Sequence, residues 1–453
     1  MPFRLSDPAY GHAPDARSAR SWCVRLPQSL RARADSRLRT RARLALLPAA
    51  LAALTLCLPA GAQNLQDSGL ELPGVWAGEG AWGDFDQDGD QDLALIGEVE
   101  TADGRCERIT QILRNDNGLL VEDVLQSQRL RGVYFGDVAW ADYDSDGDLD
   151  LAVAGWDEFG DESARLYSND GEGADRLLTL ATGQGQQPEF KGVRYADLSW
   201  ADMDNDGDLD LVITGMERNG TSLTRLYRNT DGILLLDEGN SEALINAHNG
   251  DLAWGDVDND GDLDLALSGE NIIPEGGLYN VTEFYLNDPP GTLSLAANLV
   301  LIDNDSGDPL QIRRGSLAWA DYDEDGNLDL AVSGRDLGFN AVLKLYRNRP
   351  AGTLTEDSGF SMSSTQRVDG ALDWIDYDND GDPDLAVTGR TKLSAHRAVV
   401  FDNRGGSVVG VSVEEDNLVG LSGGTALWAD YSGDGRVDLL ITGVDEGGER
   451  RSL

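Results

Sequence analysis

The chain has 453 residues, 36 of them basic and 81 acidic, for a formal net charge of −45 at pH 7. Such an excess repels nucleic acid and anionic lipid, because phosphate is bound through clustered Lys and Arg. The length suits one large domain or two to three ordinary ones.

The first predicted element is a leader. Residues 1–62 carry ten Arg, three Asp and neither Lys nor Glu. A basic stretch ending at Arg43 precedes the apolar run Leu44–Leu58, and Pro59-Ala60-Gly61-Ala62-Gln63 follows as a small-x-small site. That order is that of a signal peptide with a long basic n-region, cleaved after Ala62. The run is only 15 residues long and contains Pro48, short for a bilayer span. The expectation is therefore export, to the extracellular space, the periplasm or the cell surface, with no membrane insertion. Cleavage leaves 26 basic and 78 acidic residues, a charge of −52. It removes Cys23 and Cys57, leaving Cys106 alone, so no disulfide is expected within the mature chain.

Residues 63–453 then repeat. A block beginning Trp-(Ala/Gly/Ile)-Asp recurs at Trp82, Trp140, Trp200, Trp254, Trp319, Trp374 and Trp428, at spacings of 58, 60, 54, 65, 55 and 54 residues. Each unit reads as four short strands. In the second repeat the first strand ends at Trp140, and the second spans Leu149 to Ala154, a run suited to burial on both faces. The third carries an aromatic residue with Asn two places on, as in Tyr167-Ser168-Asn169, and the Asn is expected to begin a turn. A weaker fourth strand follows, as in Gly232–Leu236. Four strands per unit, seven times over, is the pattern of an all-β protein folded as a seven-bladed β-propeller. The seventh repeat stops before a fourth strand. Leu65–Gly69, which is similar to Leu354–Gly359, is expected to supply it, with Glu449–Leu453 as a shortened third strand.

The chemistry lies between the first and second strands, in Asp-x-Asp-x-Asp-Gly-x-x-Asp. Its positions 1, 3, 5, 7 and 9 are Asp84, Asp86, Asp88, Asp90 and Asp92 in the first repeat and Asp142, Asp144, Asp146, Asp148 and Asp150 in the second. The third has Asp202, Asp204, Asp206, Asp208 and Asp210, and the fourth has Asp256, Asp258, Asp260, Asp262 and Asp264. The fifth has Asp321, Asp323, Asp325, Asn327 and Asp329, and the sixth has Asp376, Asp378, Asp380, Asp382 and Asp384. The seventh keeps only Asp430, Asp434 and Asp438, with Ser432 at position 3 and Arg436 at position 7. The seven loops hold 33 of the 78 mature acidic residues, so much of the charge is gathered at these loops rather than spread for solubility.

Four carboxylates so close repel one another unless a cation holds them. Calcium takes six to eight oxygens at flexible geometry, whereas magnesium keeps its water, and the loops offer no thiol or imidazole for zinc or copper. The Gly at position 6 supplies the turn, and position 7 its carbonyl. An EF-hand would need Glu at position 12. Leu95, Val153, Ile213, Leu267, Val332, Val387 and Ile441 stand there instead, inside the second strand. About six strong calcium sites are expected, with the seventh weak or empty.

These repeats resemble the FG-GAP/VCBS repeat of integrin α-subunits and of many bacterial secreted proteins. The resemblance implies a seven-bladed propeller whose loop side chains at positions 1, 3, 5 and 9, with the carbonyl at position 7, bind calcium. The leading functional expectation is a monomeric binding or adhesion module for an extracellular glycan or surface protein, with Glu270–Gly315 as the recognition patch. The alternatives are a propeller-type polysaccharide lyase or hydrolase and a structural part of an envelope complex. The mature chain offers catalysis little: two isolated histidines, His248 and His396, and a Gly420–Gly424 segment that matches a nucleophile elbow but precedes a strand.

Overall fold

A computed structural model of the chain describes residues 68–70, 72–170, 176–181, 190–273, 277–360, 362, 368–391, 395–411 and 418–453. The chain divides into two compact units, Met1–Ala62 and Gln63–Leu453, and the described residues all belong to the second.

All seven Trp-Asp blocks take the same register. Trp82 pairs with Leu93, Trp140 with Leu151, Trp200 with Leu211 and Trp254 with Leu265. Trp319 pairs with Leu330, Trp374 with Leu385 and Trp428 with Leu439. The loop between the two strands has one length throughout, so the register cannot slip. The second strands are buried from both sides, and Leu93, Ala94, Leu95 and Ile96 are each 0% exposed. That explains their continuous apolar runs.

Third strands form where expected, as in Cys106–Asn115, Glu162–Asp170 and Ser222–Arg228. Fourth strands are shorter than expected: the run Gly232–Leu236 yields only Leu235–Leu236. Two short helices follow outer strands, Val124–Ser127 and Glu238–Ala243, N-capped by Asp123 and Asp237. No helix of the described residues is long and apolar enough to cross a membrane.

The strands hydrogen-bond into five sheets of four or more strands and a sixth of three, not into seven separate sheets. The largest, of eight strands, joins the first two repeats through the single pair Ile109–Val133. The three-stranded sheet holds Ala426–Ala429, Asp438–Val444 and Arg450–Ser452, so the shortened third strand forms. Of its expected outer strand, residues 65–67 lie outside the described ones, and Ser68 and Gly69 belong to no strand. The chain just beyond does lie against that sheet: Ser452 Oγ donates to the Pro73 carbonyl at 2.7 Å.

The cores lie between repeats rather than within them. Phe85, Ala94 and Ile96 of the first pack with Val138, Leu151 and Val153 of the second. Leu93, Leu95 and Leu113 of the first pack with Leu440 of the seventh. Position 2 of a loop often stacks on the Trp of the next repeat: Phe85 on Trp140 at 5.9 Å, Tyr322 on Trp374 at 5.7 Å and Tyr431 on Trp82 at 6.0 Å between centroids. Successive sheets that bury their faces only against neighbours make this an all-β, β-propeller fold.

Candidate metal centres

Each Asp loop folds by the same main-chain rules. Position 4 takes the left-handed conformation, with φ of 57° at Gln87 and Asn205 and 60° at Asn259. Gly at position 6 has φ near 100°, as at Gly89 and Gly261, a region that side chains rarely adopt. The carboxylate at position 1 gathers the turn: Asp84 accepts the Asp88 and Gly89 N–H groups at 3.0 and 3.1 Å. Asp202, Asp256, Asp321 and Asp376 repeat this pair of bonds. Position 5 accepts the N–H of position 7, as Asp206 does from Asp208 at 3.0 Å.

Position 9 fixes the loop to the sheet. Asp210 Oδ2 accepts the Met203 N–H at 3.1 Å, and its Oδ1 accepts the Asn229 N–H at 2.7 Å. Asp92, Asp150, Asp264 and Asp384 hold the same two bonds in their own repeats. All five, with Asp329, are buried. Burial, with repulsion from the other loop carboxylates, pushes Asp150 up to about 8, Asp92, Asp329 and Asp384 to about 7, and Asp210 and Asp264 to about 6.

The loops bring the sequence-predicted ligands together. Carboxylate oxygens of Asp84, Asp86 and Asp92 lie within 4.8 Å of one another, as do those of Asp142, Asp144 and Asp146. The same holds for Asp202, Asp204 and Asp206, for Asp256, Asp258 and Asp260, and for Asp321, Asp323 and Asp325. The fit to a hard cation rests on position 3. Oδ1 of Asp86, Asp204 and Asp258 is buried and receives no hydrogen bond. A buried oxygen left unsatisfied costs free energy that a cation would remove. An Arg of the third strand holds the other oxygen in several repeats: Arg228 on Asp204, and Arg347 on Asp323 at 2.6 Å.

Side chains at position 7 turn outward. Asp90 accepts the Asn117 N–H at 2.8 Å, Asp208 the Asp231 N–H at 2.7 Å and Asp382 the Gly405 N–H at 2.6 Å. Asp148 meets Arg176 at 2.7 Å, Asp262 meets Asn205 at 2.7 Å and Asn327 meets Asn259 at 2.6 Å. In the seventh loop Asp430 gathers its turn as usual, and Ser432 N–H reaches Asp438 at 3.3 Å, but Arg436 lies on Asp434 at 2.5 Å.

Sequence reading took the third-strand Asn as a turn former. It does form one, since Gly118 N–H reaches Asn115 Oδ1 at 2.8 Å. Its amide also reaches into the preceding repeat's Asp loop, at the position 2 carbonyl. Asn169 donates to Phe85 at 2.9 Å, Asn229 to Tyr143 at 2.6 Å, Asn287 to Met203 at 2.6 Å, Asn348 to Val257 at 2.7 Å and Asn403 to Tyr322 at 2.7 Å. Asn115 of the first repeat donates to Tyr431 of the seventh at 2.7 Å.

A second set of acids was also missed. Glu79, Asp137, Asp197 and Asp251 stand three residues before their Trp, a spacing visible in the sequence but shared by only four repeats. Asp137 accepts the Leu198 N–H at 2.9 Å, Asp197 the Leu252 N–H at 2.8 Å and Asp251 the Leu317 N–H at 2.6 Å, each from the next repeat. Burial raises Glu79 to about 8, Asp137 to about 7 and Asp251 to about 6, and Asp197 is also raised; repulsion from neighbouring acids adds to burial at Glu79, Asp137 and Asp197.

The two histidines have structural partners. His248 Nδ1 lies 2.9 Å from Ser222 Oγ and its Nε2 lies 3.3 Å from Glu270 Oε2, while Arg313 holds Glu270 Oε1. Ser222, His248, Glu270 and Arg313 are all buried, and Ser222 Oγ accepts the Ile272 N–H at 2.8 Å, so the arrangement joins the third, fourth and fifth repeats. His396 Nδ1 lies 2.8 Å from the Val444 carbonyl. Ser422 of the elbow-like segment is buried in a bridge to Val444. In the expected recognition patch, Glu270–Gly315, Glu270 belongs to this clasp and Asp303 is held by buried Lys344 at 2.6 Å.

A model of the FG-GAP-like repeat matches residues 142–213, 202–267, 321–387 and 376–441, more than half of the chain. No curated protein matches it. Similar solved structures include an arginine-to-alanine triple mutant of AofleA from Arthrobotrys oligospora, at 9% identity and TM-score 0.40, covering 75% of this chain and 88% of that one. A thermostable family-43 glycoside hydrolase matches at 10% identity and TM-score 0.32, over 65% of this chain and 96% of its own. Trypanosoma rangeli sialidase in complex with sialic acid matches at 10% identity and TM-score 0.36, over 82% and 52%.

Proposed function

Because this chain belongs to the FG-GAP-like repeat family, we propose that residues 63–453 are an exported, calcium-binding β-propeller of seven blades that acts as a binding module for an extracellular glycan or surface protein. The closed seven-bladed ring is supported by the amide relay: five links run from the second to sixth repeats, each to the repeat before it, and the sixth, from Asn115 to Tyr431, runs from the first repeat to the seventh. The eight-stranded sheet is then two blades that touch at one residue pair.

The observation that carries the calcium reading is the donorless buried Oδ1 of Asp86, Asp204 and Asp258 inside a repeated oxygen cluster. Positions 1, 3, 5 and 9 would hold the ion, with the position 7 carbonyl. Bound calcium would offset part of each cluster's negative charge and tie its loop to the sheet. An ion that binds only the folded chain stabilises it by about 2.7 kcal/mol per site at a hundredfold excess over Kd. Equilibrium dialysis of residues 63–453 against calcium tests the reading. Six ions per chain is the expected stoichiometry, and none would overturn it. A binding role is preferred over catalysis because His248 and His396 are engaged in holding repeats together.

A further inference from the structure

The hairpin turn Asp157–Asp161 in the second repeat carries an aromatic ring that the fold does not use. Phe159 is 69% exposed, yet its main chain is held rigidly: Asp157 Oδ1 accepts the Phe159 and Asp161 N–H groups at 2.9 and 3.0 Å. Arg131 lies over the ring at 4.4 Å from its centroid and is itself tied to Asp157 at 3.8 Å and Glu158 at 3.3 Å. The ring therefore keeps a fixed orientation with most of its surface open. Beside it is a recess of about 440 Å³, within the range of small-molecule sites.

The walls of that recess are polar and preset. Asp161 is paired with Arg218, and Glu162 with Arg194 at 2.5 Å, so both acids are anchored from the third repeat. Half-buried Arg165 bonds Ser163 Oγ through Nε at 3.1 Å, and no carboxylate of the described residues pairs with its guanidinium. The recess thus combines an open aromatic face, a forked donor with spare N–H groups, and anchored carboxylate acceptors.

The geometry points to a saccharide subsite here, taking a neutral pyranose unit of a glycan. A pyranose offers a C–H face that packs on an aromatic ring and a rim of hydroxyls that both donate and accept. Phe159 supplies the platform, Arg165 donates to ring hydroxyls, and Asp161 and Glu162 accept from them. Asp157, Asp161 and Glu162 outnumber Arg131 and Arg165 in the lining, which disfavours a polyanionic sugar. The inference rests on the glycan-binding reading above and places its ligand on the second repeat, not on Glu270–Gly315.

Affinity electrophoresis of calcium-loaded protein through gels containing laminarin, xylan or alginate tests it. Retardation by laminarin or xylan is expected, weakened at least tenfold in Phe159→Ala and Arg165→Ala and restored in Phe159→Tyr. Leu235→Ala, on an exposed outer strand, should behave as the unaltered chain. Unchanged melting temperatures would exclude unfolding as the cause. Retardation that survives Phe159→Ala would overturn this subsite and leave the glycan reading standing. Retardation by alginate alone would overturn the neutral class. Retardation by none of the three would overturn both.

Discussion

The Asn115 side-chain amide donates to the Tyr431 carbonyl at 2.7 Å across 316 residues of sequence. Five other Asn residues make the same bond to the repeat just before their own, at sequence separations of 81 to 91 residues. In the first repeat the equivalent bond goes to the seventh. One side chain in each of the first six repeats therefore carries an inter-repeat contact that also fixes an Asp loop from behind.

Asn229→Ala leaves the buried Tyr143 carbonyl and the half-buried Leu209 carbonyl without their donor. The expected loss is about 1–3 kcal/mol for each unsatisfied group, read as a lower midpoint in urea unfolding. Asn115→Ala should cost a similar amount and also speed proteolysis at the junction of the first and seventh repeats. A midpoint unchanged in both variants would remove the relay from the account.

Asp204→Ala and Asp258→Ala should each lower the calcium stoichiometry by one in equilibrium dialysis. The double variant Ser432→Asp, Arg436→Asp should raise it by one, because it restores position 3 and removes the cation lying on Asp434. Failure of the double variant to gain an ion would mean that something other than these two residues weakens the seventh loop.

Glu79, Asp137 and Asp251 predict how stability changes with pH. Their ordinary values of 4.5, 3.8 and 3.8 rise to about 8, 7 and 6 in the folded chain, chiefly by burial. The folded state then binds more protons than the unfolded state over that interval. Their contribution is fully present below about pH 4 and is lost as pH rises towards 8. Asp137 and Asp251 repel Glu79, Thr425 hydrogen-bonds it, and all three acids repel Asp197. At saturating calcium, Glu79→Gln with Asp137→Asn should flatten the fall in urea midpoint between pH 6 and 8. An unchanged slope would mean that these groups ionise normally.

Glu270 has the opposite sign. His248, Arg313 and Arg314 hold it down to about 2 against burial, so its contribution is present above pH 4.5 and lost as pH falls towards 2. Arg313→Ala, which removes one of the three groups holding this buried carboxylate, should destabilise the fold and shift acid unfolding to higher pH. Circular dichroism across an acid titration reads this directly.

Much of this was legible in sequence because the repeat is strict. A Trp, a nine-residue loop and an apolar run in fixed order give the first two strands and every loop carboxylate, and Trp82 and Trp428 share one register although 346 residues apart. Less legible were contacts between repeats, since periodicity shows what each unit contains and not what it touches. Asn169 reads as a turn residue, and only the packing reveals that its amide faces Phe85. His248 reads as isolated because Ser222 and Arg313 lie in other repeats. Outer strands were overestimated because apolar residues on them, such as Leu235 and Leu236, stay exposed, and pairing there ends early.

The central claim, that the Asp loops are structural calcium sites, is tested most directly by thermal melts of residues 63–453 in millimolar calcium, in chelator and in magnesium. The account predicts a large rise in Tm with calcium, lost in chelator and not restored by magnesium. A folded protein whose Tm is the same in all three would contradict it.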